Sequence, residues 1–271
     1  MRLLTELSAR ADAAFDNAHH AKLRGRFWDA LNGTDYDDRH DADEPPGFCF
    51  SLIYPPRDME AGDQRWLLVA SPDEELLTHV ARDLKDDREL NVGPMPLQVE
   101  EVNALAPDVG EPGTRGTLES GTGVLVRIPP WQRENYGIEG DHGDSATFWR
   151  PKHTMEPFRN QVRANLDRKH GLFAREYLPG PSETDGELFE EYDLLKTYAL
   201  PVDVTEGQRM TYVVSKWELG YRVRDNDHRR HLNLALDCGI GERNALGFGF
   251  LNISERTRPG ETELEDEDAF A

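Results

Sequence analysis

From Cys238 to Asn252 the chain reads Cys-Gly-Ile-Gly-Glu-Arg-Asn-Ala-Leu-Gly-Phe-Gly-Phe-Leu-Asn, with glycines at 239, 241, 247 and 249. No Gly-Lys-Ser/Thr follows, so this is not a Walker A loop. Gly239 and Gly241 come after a helical pattern and the third glycine is misplaced, so it is not a dinucleotide fingerprint either. What the segment offers is a loop with free backbone N–H groups, Arg243 and Asn244, leading into an aromatic strand at 247–253. On such a strand Gly247 and Gly249 share one face, and Phe248 and Phe250 the other. The phenylalanines are then expected in the core, with the bare glycine face open to a nucleic-acid backbone. The alternative is a glycine-rich hairpin with a bulge.

Periodicity organises the rest of the chain. Residues 1–8 read as a strand, and Ala14 to Leu31 as a helix ended by Asn32-Gly33. Strands are expected at 48–54 and 65–70. A helix follows to about Asp86, with Ser71 as cap, Pro72 in the first position and Glu74 as capping-box partner. A strand at 97–105 completes a β-α-β-β-α-β unit. Ala106 to Gly113 is a linker by composition. The second half repeats the order more loosely: strands at 117–118 and 124–128, a helix from Met155 to Phe173, two or three strands within 197–223, a helix at 227–236 and the last strand. The expectation is an α+β chain of two tandem ferredoxin-like (RRM-like) domains, 1–112 and 113–255, with an acidic disordered tail at 256–271.

Charge sets the solvent. Asp plus Glu number 52 against 31 Lys plus Arg, only six of them lysine, and the formal net charge is −21. Acid-rich, lysine-poor composition suits a molar-salt cytoplasm, where a Debye length of about 3 Å screens self-repulsion. Acid is then background, and the informative residues are the cations that persist in Lys22–Arg26, Arg150–Lys169 and Arg222–Arg230. Arg159, Arg163 and Lys169 could form a basic stripe on one helix, or pair internally with acids. Neither a transmembrane run nor a signal peptide is evident, so a cytoplasmic location is expected. Cys49 and Cys238 are too few for a disulfide framework or a zinc site and read as half-buried thiols in a reducing compartment. No metal site and no cofactor is expected; Asp41, Asp43 and Glu44 read as a solvated turn.

Gly247-Phe-Gly-Phe-Leu resembles the core of the RRM signature, although Leu246 replaces its basic residue and the motif lies on the last strand. The whole glycine-rich segment more closely resembles the C-terminal loop of the CRISPR-associated repeat-processing endoribonucleases, and the chain is identified as a member of that family, of haloarchaeal type. Arg39-His40, a polar turn and Pro46-Gly-Phe-Cys-Phe-Ser51 are similar to the family's stretch in which a catalytic histidine precedes a Phe-x-Phe-Ser strand. The resemblance implies metal-free cleavage within CRISPR repeat RNA to 2',3'-cyclic phosphate and 5'-hydroxyl ends. It also implies delivery of the guide RNA to other subunits of a Cascade-type complex.

Cutting RNA through its own 2'-hydroxyl needs a base, an acid for the leaving oxygen and a cation near the phosphorane; histidine suits the first two roles. His40, in a loop before a strand, is the candidate base. His20 lies among Lys22, Arg24 and Arg26 and is a candidate RNA contact, with Gly239, Gly241, Arg243, Asn244, Gly247, Gly249, Arg159, Arg163 and Lys169. Some family members carry a tyrosine on the first helix and a lysine after the histidine. Here Phe27 and Trp28 occupy the helix and acids follow His40, so Tyr36 or an arginine is left as the substitute and the general acid stays open. The rival readings are a catalytically silent RNA-binding subunit and an unrelated ferredoxin-like module.

Overall fold

The computed structural model describes residues 1–16, 18–37, 47–138, 147–173, 178–205 and 208–258. Strand β1 (Arg2–Ala9) turns Leu3, Thr5, Leu7 and Ala9 inward, the period-two burial its alternating sequence dictates. It is followed by α1 (His19–Asp29), β2 (Cys49–Phe50), β3 (Gln64–Ala70), α2 (Glu74–Asp86), β4 (Glu89–Val92) and β5 (Met95–Leu105). The antiparallel sheet runs β2-β3-β1-β5-β4. Its first four members have the ferredoxin-like order, and β4 is an added edge that hairpins onto β5. Leu76, Leu77, Val80 and Leu84 are the buried stripe of α2.

The expected cap of α2 is displaced. Asp73, not Ser71, accepts from the amides of Glu75 and Leu76. Ser71 instead donates to the carbonyl of Gly47 at 2.7 Å. Helix α1 also starts later than Ala14, at His19.

The second half contains β6 (Arg115–Ser120), β7 (Arg127–Ile128), β8 (Thr147–Phe148), α3 (Met155–Phe173), β9 (Glu191–Thr205), β10 (Gln208–Arg222), α4 (Asn226–Cys238) and β11 (Leu251–Thr257). Strands β11-β6-β10-β9 form one antiparallel sheet, again in ferredoxin-like order when α3 and α4 are counted as the crossovers. The expected two tandem ferredoxin-like units are therefore present. Strand β11 runs two residues past 255, and residues 259–271 of the expected acidic tail lie outside the described residues. Its core is aromatic: Phe158 packs on Trp217 with centroids 4.5 Å apart, and Trp149 lies within 5.3 Å of both.

Both sheets carry acids in register on their outer faces. Glu6 is paired with Glu101 in the first sheet. Across the second, Asp193, Glu218 and Glu119 are consecutive cross-strand neighbours. Directly opposed like charges destabilise a sheet unless salt screens them.

Candidate nucleic-acid interface

Helix α4 ends at Cys238, and the next twelve residues form a wedge between the halves. Gly239 and Gly241 have φ of 73° and 68°, Arg243 is left-handed at 58°, and Gly247 and Gly249 follow at 75° and 68°. Asn244–Leu246 is a single 3-10 turn. The strand expected from 247 starts only at Leu251, so Gly247 and Gly249 do not alternate on a pleat.

The glycines answer to crowding rather than to an open face. A Cβ on Gly247 would come within 2.5 Å of the Phe50 ring, and one on Gly249 would overlap the carbonyl oxygen of Ile240. Positive φ adds strain for any other residue. The expectation that these two glycines bare a surface for RNA is thereby corrected: both are buried contact points. Phe248 and Phe250 are core residues, as expected, each 0% exposed.

The loop is also bonded to itself and its supports, so the expected supply of free N–H groups is reduced. The amides of Ile240 and Gly249 donate to Gly249 and Gly123 carbonyls, and that of Glu242 donates to Leu125. The Asn244 side-chain amide donates to the carbonyls of Ile240 and Phe248 at 3.1 and 2.9 Å. Lys169, 3% exposed, donates from Nζ to the carbonyls of Gly239 and Gly241 at 2.8 and 3.1 Å. Burial holds its ammonium below the usual lysine range, partly offset by Cys238, Cys49 and Glu242.

Lys169 is thus not on a basic stripe with Arg159 and Arg163. It continues the apolar row Phe158, Val162, Leu166 of α3, three residues on from the last. Arg159 and Arg163 both reach Glu187, at 3.8 and 3.4 Å, so the internal-pairing alternative describes them.

From the first half, His20 supports the same loop. It is 3% exposed, its Nδ1 lies 2.7 Å from the Leu246 carbonyl, and its ring stacks on His19 and packs near Phe248. Burial, with His19 adding to it, pushes its pKa down to about 3, so the ring is neutral. The expected His20–RNA contact is replaced by a contact inside the protein. Arg2 is a residue the sequence reading missed. Its buried guanidinium donates to the carbonyl of Leu236 at 2.9 Å and to Asn252 Oδ1 at 3.1 Å, and covers the Phe250 ring. A lone arginine leading an apolar strand is the only sequence signal for it. Both cysteines are fully buried rather than half-buried.

Arg243 is the exposed cation of the wedge, without an ion-pair or hydrogen-bond partner for its side chain among the described residues. Neighbouring Glu242 is held by Arg127 through its side chain and backbone amide. His40 and the acids 41, 43 and 44 lie outside the described residues. Their flanks are described. Tyr36 is buried and donates its hydroxyl to Asp73, the cap of α2, at 2.9 Å. Beyond the segment, Gly47 lies against the Phe173 ring, and Phe50 meets Gly247. The Phe-x-Phe strand and the glycine-rich segment, far apart in sequence, are therefore in contact. Among the described residues no group of three or more His, Cys, Asp or Glu side chains is arranged to hold a metal ion. No described helix is long and apolar enough to cross a membrane.

Two ferredoxin-like units wedged together by a glycine-rich loop define a class of tandem ferredoxin-like proteins. Within it, residues 132–253 match the family model described as CRISPR associated protein Cas6, C-terminal. The chain is 56% identical over 271 residues to a CRISPR-associated endoribonuclease Cas6 of Haloferax mediterranei, covering 100% of both chains. It is 24% identical over 257 residues to a second such Cas6 from Methanocaldococcus jannaschii, covering 93% of this chain and 99% of that one. A solved structure described as CRISPR associated protein Cas6 superposes with a TM-score of 0.67 at 19% identity, covering 94% of this chain and 99% of that chain. The chain belongs to the Cas6 family of CRISPR-associated endoribonucleases.

Proposed function

We propose that this protein cleaves CRISPR repeat transcripts within the repeat, without a metal, to release guide RNAs. The 2'-oxygen at the cut attacks the adjacent phosphorus while the bond to the 5'-oxygen breaks. The 2'-hydroxyl proton goes to a base and the leaving oxygen takes one from an acid, giving a 2',3'-cyclic phosphate and a 5'-hydroxyl. His40 is the base, a role that the ordinary pKa of histidine suits. Arg243, exposed on the rigid wedge, contacts a phosphate. Gly239, Gly241, Asn244, Gly247, Gly249, Lys169 and His20 serve RNA binding by holding that wedge in shape, while Arg159 and Arg163, already paired with Glu187, contribute at its margin. The product passes to other subunits of a Cascade-type complex.

The observation that carries this reading is the contact of Phe50 with Gly247. It joins the strand that follows the His40 segment to the glycine-rich wedge in a member of an endoribonuclease family. A second reading, a silent RNA-binding subunit, draws on Tyr36, whose hydroxyl is taken by Asp73 and so does not stand ready as the acid.

Repeat RNA incubated with the protein in molar KCl and excess EDTA separates the two. Cleavage to cyclic-phosphate ends supports the enzyme, a shifted but intact RNA supports the silent subunit, and an unaffected RNA removes both. His40→Ala should cut at least about 100-fold more slowly while binding normally, the usual worth of a general base. Undiminished cutting by that variant would move the base elsewhere.

A further inference from the structure

One cavity lies beside this interface without being used by it. It has a volume of about 520 Å³ and sits between α3, α4 and the start of α2. Phe173 and Leu234 supply apolar walls, and the same Phe173 ring is the one that Gly47 rests on. Asp237, two residues before Gly239 in the chain, also lines it. The cavity therefore shares Phe173 with the residue that follows the His40 segment, and its lining reaches to within two residues of the glycine-rich loop along the chain.

Its polar lining is nearly charge-balanced. Arg229 and Arg230 share it with Asp108 and Asp237; Asp237 gives Oδ1 to the N-terminal ammonium of Met1 at 2.7 Å and keeps Oδ2 without a partner among the described residues. Both guanidiniums are already committed: Arg229 to Asp108 at 3.0 Å and Glu111 at 2.8 Å, Arg230 to Asp227 at 2.6 Å and the Pro179 carbonyl at 2.7 Å. Such a lining has little left to attract a phosphate or a free anion. What it leaves unspent is neutral hydrogen-bonding capacity. His170 lines the cavity with neither ring nitrogen hydrogen-bonded among the described residues, Nε2 being the enclosed one, and burial holds its pKa below the usual histidine range, so the ring is neutral.

An apolar slot with an aromatic wall, neutral hydrogen-bonding groups and one unpaired carboxylate oxygen fits a flat neutral ring with donor and acceptor edges. Cavities of about 300–1,000 Å³ accept molecules of nucleotide size. RNA-binding proteins read single-stranded RNA by splaying out bases onto aromatic side chains and hydrogen-bonding their edges. We infer that this cavity receives one unpaired nucleobase of the bound RNA, stacked on Phe173 and read by His170, with an exocyclic amino group turned to Asp237. The inference rests on the RNA-cleavage reading above and adds a specificity pocket to it. A base bearing an amino group is favoured over uracil, which has none.

The test is a set of repeat RNAs, each with one abasic nucleotide, assayed for binding and cleavage by the wild-type full chain. One position should weaken binding about tenfold, the worth of a stacked base. Uracil at that position should bind more weakly than adenine or cytosine. Leu234→Trp, which fills the cavity, should bind intact RNA about tenfold more weakly and show no further loss with the abasic RNA. His170→Leu, which keeps the bulk but not the nitrogen, should abolish the preference over uracil. Circular dichroism melts identify any variant that has not folded, and the wild-type scan stands without it. An even profile along the RNA overturns the pocket. So does a sensitive position whose loss adds in full to that of folded Leu234→Trp, because that base then sits elsewhere. If the wild type neither binds nor cuts repeat RNA, the RNA-cleavage reading itself falls and the pocket falls with it.

Discussion

Acidification should unlock the wedge through His20. Its ring is neutral in the folded protein, with a pKa pushed down to about 3, whereas an unfolded chain protonates it at the ordinary 6.5. Between those values the unfolded state holds a proton that the folded state refuses, so stability is complete above about pH 6.5 and is lost as pH falls toward about 3. Going from about pH 7 to about pH 5, this one group costs about 2 kcal/mol, at ~1.4 kcal/mol per unit once below the unfolded pKa. His19, His170, His228 and His231 are lowered by burial too, so the wild type should lose still more. The comparison that isolates His20 is with His20→Gln, which keeps an amide donor for the Leu246 carbonyl. Urea titrations in molar KCl at the two pH values, followed by tryptophan fluorescence, give the loss for each protein. The variant should lose about 2 kcal/mol less. Equal losses would refute the account, because the ring would then not be held neutral by its burial.

Three further outcomes follow from the wedge and the sheets. Lys169→Met should cost about 2–4 kcal/mol, because two buried carbonyls lose a charged donor. Hydrogen exchange should accelerate first at the amides of Ile240 and Gly249, and unchanged exchange there would remove the tether. Gly249→Ala should cost about 3 kcal/mol or more from positive φ and overlap with Ile240, and Phe248→Ala about 3–5 kcal/mol from the cavity it leaves. A Gly249→Ala protein as stable as wild type in denaturant titration would contradict the close approach. Glu218→Gln should raise the melting temperature at about 0.1 M KCl, where the Debye length is about 10 Å, and hardly alter it in molar KCl. An effect independent of salt would mean that the Asp193–Glu218–Glu119 row is not repulsive.

The repeating framework was legible because it is local. Phe158, Val162 and Leu166 mark α3 at helical spacing, and its bounds from Met155 to Phe173 are those the sequence suggested. Strand β4 was not read because Leu90 and Val92 are its only inward residues, too short a pattern to separate from a turn. The glycine-rich segment misled for a different reason. Glycine and phenylalanine alternate at 247–250 as they would on a pleat, but what excludes side chains there is a ring from β2 and a carbonyl from the far arm of the loop. Such close approach by distant chain leaves no periodic trace. Lys169 was legible and overlooked: its place in the apolar row of α3 could have been counted from Phe158. Composition marked the arginines as unusual, yet only three-dimensional placement distinguishes Arg243 from Arg159 and Arg163, which have Glu187 beside them.

The contact between Phe50 and Gly247 bears on the order in which the chain is made. Ala245 packs into the core of the first half, and Phe250 joins Cys49 and Ala70. The half that emerges first from a ribosome is therefore closed by a segment of the second half, made well after it. At about 5–20 residues per second, Phe50 waits roughly 10–40 s for its cover. During that interval a buried strand edge, an apolar ring and the Arg2 guanidinium stand open. The nascent chain should need protection until that segment arrives, and separately expressed halves should be sticky until mixed.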